Sequence, residues 1–413
     1  MPRPLMTLSF VLGAIPAISM LPIPSSAIAQ MQISPQAALE RLFTTPQLQA
    51  EWFAPAMLNQ FPLSQAQQLI AEMQADFGAY QEVQPSGELY LVLFERGRVA
   101  AQITLNSRGQ IAGLFFQPAP MAISLDEAIE QLQAFPGEVN FLVLEDQSEL
   151  AALNADNPLA VGSTFKLAVL AALRQQIESD QRSWGDVVEL RPEWKSLPSG
   201  FLHTWPDGTQ LTLETLATLM ISMSDNTATD ALIHVLGRAS IEAYTLRNRP
   251  FLTTREFFIL KAPQNISVLE RYRSLSSLQG RQQILDEIAS YPLPDVGAAS
   301  STHEGQSQEQ LTASEIGYFF TPHELCALMA QVADLPLMGV NPAPGVVNAE
   351  DWARVAFKGG SIPGVLNLTH QLEAESGKTY CVSMTWNHSE APLDEMRLST
   401  LYGAVIKGLS NNP

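Results

Sequence analysis

The order of strand-like and helix-like segments after residue 121 constrains the fold of this 413-residue chain more than any other feature. One apolar strand pattern, "VNFLVLE", is followed by helix patterns that continue to about residue 335. Three strand patterns, "DWARVAFKGG", "VLNLTHQLEA" and "TYCVSMTWN", and a helix pattern, "LSTLYGAVIKGL", come last. Strands near both ends of a region, with many helices between them, predict an α/β domain with a large helical insertion.

The region before residue 121 follows a different plan. Two helix patterns, "SPQAALERLF" and "SQAQQLIAEMQADFG", precede the strand patterns "ELYLVLFERG", "RVAAQITLNSRGQ" and "IAGLFFQ". We therefore predict a small α+β domain over residues 30–120 with a curved antiparallel sheet. The segment "QPAP" at residues 117–120 then links it to a second domain over residues 121–413.

The first 29 residues are typical of a secretory signal peptide. Arg3 precedes the apolar stretch "LMTLSFVLGAI", and the small-x-small sequence "AIA" at residues 27–29 comes just before Gln30. A retained membrane anchor is the alternative, but three prolines between residues 16 and 24 argue against a spanning helix. We expect a periplasmic or secreted protein with no stable membrane span after processing.

Charge and metal-ligand spacing exclude several functional classes. The chain has 23 basic and 42 acidic residues, a net charge of −19, which argues against a nucleic-acid partner. No Cys/His spacing typical of a metal site is present, and we expect neither a metal nor another cofactor. The cysteines are Cys326, in a helix pattern, and Cys381, in a buried strand pattern. We expect two buried free thiols, with a disulfide as the alternative.

Three short motifs carry the candidate chemistry. In "VGSTFKLAVLAAL", Ser163 and Lys166 lie one helical turn apart in a stretch that otherwise resembles core. "SDN" at residues 224–226 interrupts a long apolar helical stretch, where a plain helix N-cap is the alternative. "FKGGSIPG" places Lys358 at a strand end before two glycines, where an ordinary turn is the alternative.

Ser-x-x-Lys, Ser-Asp-Asn and Lys-(Thr/Ser)-Gly, in this order, resemble the motifs of class A β-lactamases and penicillin-binding proteins. The resemblance covers residues 121–413 and implies a transpeptidase-type domain. More narrowly, "LPSGFLHTWPDGTQLTLETLATLMISMSDNTATDAL" and "KGGSIPGVLNLT" resemble the two-domain serine-hydrolase-like proteins of the clavulanic-acid biosynthetic cluster. That closer resemblance implies a steroid-isomerase- or cystatin-like fold for residues 30–120.

The resemblance also implies a role for each site residue. Ser163 would be the nucleophile, Lys166 its base with a pKa lowered by desolvation and by Lys358, and Ser224 a proton relay. Asn226 would hydrogen-bond either the substrate or Lys166. Lys358 would stay positively charged and attract a carboxylate of the substrate. Gly360 and Ser361 would also contact the substrate, beside the reacting carbonyl. The backbone N–H groups of Ser163 and Ser361 would form the oxyanion hole.

Two departures from the family pattern limit what the resemblance implies. Gly359 stands where the motif has a hydroxyl residue, and Ser361 could compensate. No glutamate aligns with the water-activating loop position, where Leu260 or Lys261 falls, and Glu256 is the only carboxylate nearby. We expect an exported serine hydrolase that acts on a β-lactam or related small acyl compound, with slow deacylation. The alternatives are a cell-wall DD-peptidase or esterase, or a β-lactam-binding protein without turnover.

Overall fold

The structure is a computed structural model, and it describes residues 33–86, 89–95, 97–118, 123–294, 316–343 and 346–410. The predicted signal peptide lies outside these residues. Among the described helices, none is long and apolar enough to cross a membrane.

Residues 33–118 form a unit of helices followed by one antiparallel sheet. Its described helices and strands are α1 (Pro35–Thr44), α2 (Pro55–Gln60), α3 (Leu63–Phe77), β1 (Tyr80–Ser86), β2 (Leu89–Phe94), β3 (Gly97–Leu105) and β4 (Ile111–Pro118). The strands pair in the order β1-β2-β3-β4. Helix α1 begins where the sequence predicts, because Ser34 accepts a hydrogen bond from the backbone N–H of Ala37 and Pro35 occupies its first turn. The predicted α+β composition is therefore present, whereas the likeness to a steroid isomerase stays a prediction.

The second region, from Ile123 onward, contains helices at both ends of a sheet and between its strands. Its first strands and helices are α4 (Leu125–Gln133), β5 (Glu138–Glu145), β6 (Ser148–Leu153), β7 (Leu159–Ala160), α5 (Lys166–Glu178), β8 (Val187–Glu189) and β9 (Gln210–Thr212). The helices that follow are α6 (Leu213–Ser222), α7 (Asn226–Leu236), α8 (Arg238–Glu242), α9 (Thr254–Lys261), α10 (Ile266–Ser274) and α11 (Leu278–Ile288). The last elements are β10 (Phe319–Phe320), α12 (Pro322–Ala330), β11 (Arg354–Ile362), β12 (Val365–Glu373), β13 (Thr379–Asn387) and α13 (Glu395–Ser410).

The central sheet confirms the predicted α/β arrangement. Its five strands run in the order β11-β12-β13-β5-β6, and every neighbouring pair is antiparallel. Helices α4 and α13 share one apolar core with the sheet, whereas helices α5 to α12 surround a second, mostly helical core. The helical insertion therefore lies between β6 and β11, and strand β11 is the edge strand beside it.

The cysteine prediction was wrong, because Cys326 and Cys381 form a disulfide. The predicted helix and strand are both present, as α12 and β13. These two elements pack against each other, which brings the two side chains together within a small apolar cluster that includes Leu142 and Ala155. The sequence indicated that each cysteine is buried, but it did not indicate that the two are buried next to each other.

Candidate active site

The candidate nucleophile Ser163 lies in a tight turn just before helix α5. A 3₁₀ turn spans Gly162–Phe165, so Ser163 precedes helix α5, which begins at Lys166. A hydrogen bond fixes the residue before this turn: the backbone N–H of Val161 donates to the carbonyl of Tyr318 over 3.0 Å. Ser163 is partly exposed and lines a cavity of about 860 Å³.

Two glycines allow strand β11 to lie directly against this turn. A Cβ atom on Gly360 would lie 2.2 Å from the carbonyl oxygen of Val161 and 2.3 Å from the backbone nitrogen of Ser163. A Cβ atom on Gly162, whose φ is +52°, would lie 3.0 Å from the backbone nitrogen of Ser361. Only glycine fits such an approach, and the backbone N–H groups of Ser163 and Ser361 come close together as a result.

Lys166 lies behind the cavity surface and is fully buried. Its Nζ atom donates to the Asn226 Oδ1 atom over 2.8 Å, the Ser224 Oγ atom over 3.0 Å and the Ser224 carbonyl over 2.6 Å. Burial, and secondly the charge of Lys358, hold the pKa of Lys166 well below its ordinary value, although Asp230 and Asp225 oppose the shift. This lysine therefore has the low proton affinity that a base at neutral pH requires.

Ser224 lies between two lysines. Its Oγ atom accepts from Lys166 and also from the Nζ atom of Lys358 over 3.2 Å. A hydroxyl that accepts from two lysines keeps its own proton free to donate into the cavity. Its backbone φ of +54° is a left-handed conformation that non-glycine residues adopt at a cost of about 1–3 kcal/mol. The tight turn between α6 and α7 therefore holds this hydroxyl at the cavity wall.

The other two residues of this motif hold the surrounding backbone. Asp225 caps α7 through the N–H of Ala228, as its alternative interpretation predicted, and its other oxygen accepts from the N–H groups of Phe201 and Leu202, both at 2.8 Å. The Asn226 amide accepts from Lys166 and donates to the Leu197 carbonyl over 3.0 Å. Asn226 therefore contacts Lys166, one of the two roles predicted for it.

Lys358 differs in part from the expectation that it keeps its charge. It projects from β11 and is 4% exposed, and burial lowers its pKa to about 7. Near neutral pH, without an anionic ligand, it is therefore charged for only part of the time. Its Nζ atom bonds to the Ser224 hydroxyl and to the carbonyl of Gly359.

The cavity brings together the residues that the motifs predict. Six of the seven predicted site residues line it: Ser163, Ser224, Asn226, Lys358, Gly360 and Ser361. The seventh, Lys166, is hydrogen bonded to two of them, Ser224 and Asn226. Their catalytic roles stay predictions. The sequence analysis missed the aromatic and hydroxyl residues that complete the walls: Phe201, Thr254, Phe257, Phe258, Tyr318 and Phe357. Phe357 directly precedes Lys358, and Phe201 lies in the stretch that carries the closer resemblance, but neither pattern shows that its ring lines a cavity. The other four come from segments distant in the chain from all three motifs.

No carboxylate is found among the described residues that line the cavity. Glu256 instead belongs to the N-terminal cap of α9 and pairs with Arg238 over 2.8 Å. The buried Asp230, which the sequence analysis also missed, accepts from the backbone N–H groups of Thr254 and Arg255 and fixes the first turn of α9. Its burial raises its pKa to about 7. The described residues contain no cluster of His, Cys, Asp and Glu suited to a metal ion.

Comparisons with known proteins find similar solved structures. A protein named PBP-A is 15% identical, with 72% of this chain and 98% of that chain covered and a TM-score of 0.46. A β-lactamase from Sphaerobacter thermophilus is 19% identical, with 70% and 97% covered and a TM-score of 0.47. A class A β-lactamase representative from Bacteroides cellulosilyticus is 16% identical, with 70% and 98% covered and a TM-score of 0.43.

A search among curated proteins gives no significant match. The sequence profile of the β-lactamase enzyme family, by contrast, matches residues 124–401, which is more than half of the chain. This span contains all three motifs and the whole central sheet. The chain therefore belongs to the β-lactamase enzyme family.

Proposed function

We propose that this protein is an exported serine hydrolase that forms an acyl-enzyme on Ser163 with a β-lactam or a related amide or ester. The observation that carries the proposal is the buried lysine network, in which Lys166 and Lys358 both bond to Ser224 beside the cavity that Ser163 lines. Two buried cations around one hydroxyl are costly unless one is neutral, and a neutral lysine is a base.

Acylation follows from this arrangement. The Ser163 oxygen attacks the substrate carbonyl carbon while its proton passes to Lys166, and the resulting oxyanion lies between the backbone N–H groups of Ser163 and Ser361. When the carbon–nitrogen or carbon–oxygen bond breaks, Ser224 donates its proton to the leaving atom and regains one from Lys166. The product is an ester on Ser163. An open-chain amide or ester releases its amine or alcohol at this step, whereas a β-lactam keeps the amine within the ring-opened acyl group.

Deacylation needs a base for the attacking water. Because the described cavity wall offers no carboxylate, Lys166, neutral again after acylation, is the base available. A lysine held by Asn226 and Ser224 has no second group to orient the water, so we propose that this step limits the rate. The same observation favours the second candidate function, a β-lactam-binding protein that is acylated without turnover.

Export is supported by two observations. The signal-peptide pattern ends at residues 27–29, and the Cys326–Cys381 disulfide is typical of an oxidising compartment. Amino-terminal sequencing of protein recovered from the periplasm or medium should begin at Gln30. A mature protein that still begins at Met1 would contradict cleavage and export.

Intact mass spectrometry tests the acyl-enzyme. We expect wild-type protein to gain one acyl group from penicillin-type probes and the Ser163→Ala variant to gain none. Ser222→Ala is the matched control, because Ser222 lines the same cavity but donates its hydroxyl to the Thr218 carbonyl. Labelling of Ser163→Ala to the wild-type extent would refute the proposal. A stable adduct that is never released would favour the binding protein over the hydrolase.

A further inference from the structure

Strand β11 presents an apolar surface to the cavity at the place where the family motif has a hydroxyl. Phe357, Gly359 and Ser361 are alternate residues of this strand and share one of its faces. A Cβ atom on Gly359 would lie 2.7 Å from the Cζ atom of Phe357, so the phenyl ring occupies the place where a side chain at 359 would begin. The ring is fixed from behind by stacking on the buried His370 at 4.4 Å.

The hydroxyl that could replace the missing one is already bonded. The Ser361 Oγ atom donates to the Oε1 atom of Glu395 over 2.8 Å. A hydroxyl has one proton, so this bond leaves only lone pairs toward an incoming group. A carboxylate on the substrate would find an acceptor there rather than a donor, with the charge of Glu395 beside it.

The remaining wall offers little else to an anion. Lys358 is the only basic side chain among the described residues that line the cavity, and its bonds to Ser224 and Gly359 leave at most one of its three N–H groups for an anion. Most of the other side chains on the wall are aromatic or aliphatic: Phe201, Ile221, Met223, Phe257, Phe258, Ile362, Leu366 and Leu368. A neutral, apolar substrate therefore loses less hydration at this wall than an anionic one.

We propose that the site prefers acyl donors that are uncharged and apolar where they face Phe357 and Ser361, over donors that carry a carboxylate at that place. This inference rests on the proposed acyl transfer to Ser163 and names the substrate class of that site. Within the chemistry already considered, it favours neutral esters and amides over acidic β-lactams.

Benzylpenicillin and its methyl ester form a matched pair for the test, because they share one acyl group and one ring system and differ by one charge. The measurement is the rate constant for acylation of Ser163, followed by intact mass after acid quenching. We expect the methyl ester to acylate the wild-type protein about tenfold faster, the scale of one charge-assisted hydrogen bond. Equal rates, or a faster acid, would overturn the inference.

Variants test whether these residues cause the preference. Glu395→Gln keeps an acceptor for Ser361 and removes the charge, so the acid-to-ester rate ratio should rise about threefold, as expected for one exposed charge. Phe357→Ala combined with Gly359→Thr restores a hydroxyl and should raise the ratio about tenfold. Glu130→Gln, an exposed residue of α4, removes the same charge outside the cavity and should leave the ratio unchanged.

The two failures are distinguishable. If neither penicillin nor its ester acylates Ser163, the proposed function fails. If both acylate Ser163 and Glu395→Gln leaves the ratio at its wild-type value, the substrate preference fails while the function stands. If circular dichroism shows that the double variant does not fold, the rate ratios of the wild type and of Glu395→Gln still test the substrate preference.

Discussion

The two walls of the cavity are built in different ways. The helical wall, formed by Ser163, Lys166, Ser224 and Asn226, is a polar network in which the lysine is buried and bonded to its neighbours. The sheet wall, formed by residues 357–361, presents an aromatic ring, two glycines and a hydroxyl turned toward Glu395. The chain therefore has the family's residues at the places proposed for proton transfer, and it departs from the family pattern at Gly359, on the wall proposed to select the substrate.

The largest effect should come from the helical wall. Lys166→Ala removes the proposed base, and acylation of Ser163 should slow about 10³-fold at every pH, a loss of about 4 kcal/mol of transition-state stabilisation. In the wild type, the acylation rate should fall as the pH is lowered through the depressed pKa of Lys166, because the protonated amine cannot accept a proton. Stopped-flow acylation measured against pH gives both results.

The control for this prediction is Lys378→Ala, which removes a partly exposed lysine of the turn between β12 and β13, outside the cavity lining. It should keep the wild-type rate. A Lys166→Ala variant that acylates within tenfold of wild type would show that the helical wall does not supply the base.

The second largest effect should come from disturbing the contact between the two walls. Gly360→Ala places a methyl group against the backbone of Val161 and Ser163, so the free energy of unfolding should fall by about 2 kcal/mol. Acylation should slow about a hundredfold, because the N–H groups of Ser163 and Ser361, the proposed oxyanion hole, move apart. Urea unfolding measures the first effect, and Gly185→Ala, whose Cβ atom would lie 3.9 Å from its nearest neighbour, should change stability by less than about 0.5 kcal/mol. Equal stability losses in the two variants would contradict the close contact.

The sequence predicted this contact only in part. Each motif alone showed only polar or glycine residues in an apolar setting, which is a local property. The resemblance of the three motifs to those of class A β-lactamases and penicillin-binding proteins implied that the seven residues share one site. Phe357 and Glu395 could not be recognised, since what matters is which residues they meet: Gly359 for the ring and Ser361 for the carboxylate. The disulfide was missed for the same reason.

In the fold, too, elements with a clear local pattern were predicted, whereas elements that depend on their neighbours were not. The long strands of the central sheet and α13 have clear periodicity and were predicted, as were the main helices of the first region. Strand β1, the hairpin strand β6, the three-residue strands β8 and β9 and the two-residue strands β7 and β10 were missed. Strands as short as β7 and β10 have no measurable alternation, and their pairing is set by the elements around them.

A smaller effect distinguishes the lysine of the sheet wall. Burial lowers the pKa of Lys358 from 10.5 to about 7 in the folded chain, so the unfolded chain binds more protons between these values. Stability should therefore fall as the pH is lowered from about 10 to 7. Lys358→Met should remove part of this slope, measured by urea unfolding at several pH values. The stability of the variant relative to the wild type should be greater at pH 7 than at pH 10. An unchanged slope would show that Lys358 is not desolvated.

The smallest effect should come from Glu256. Its carboxylate serves the cap of α9 and the pair with Arg238, outside the cavity lining. Glu256→Gln should leave the rates of acylation and deacylation within about twofold of wild type, with a stability loss of about 1 kcal/mol from the half-buried ion pair. Loss of deacylation with acylation intact would identify Glu256 as the base and would contradict the assignment to Lys166.

Slow hydrolysis of an acyl-enzyme on Ser163 is tested by a pre-steady-state experiment with a chromogenic ester or cephalosporin. We expect a burst of about one equivalent per Ser163, of released alcohol for the ester or of opened ring for the cephalosporin, followed by a slow phase in which the acyl-enzyme is hydrolysed. The burst should slow in Lys166→Ala and disappear in Ser163→Ala. Rapid, linear turnover without a burst would contradict slow deacylation, and a full burst in Ser163→Ala would contradict the acyl-enzyme itself.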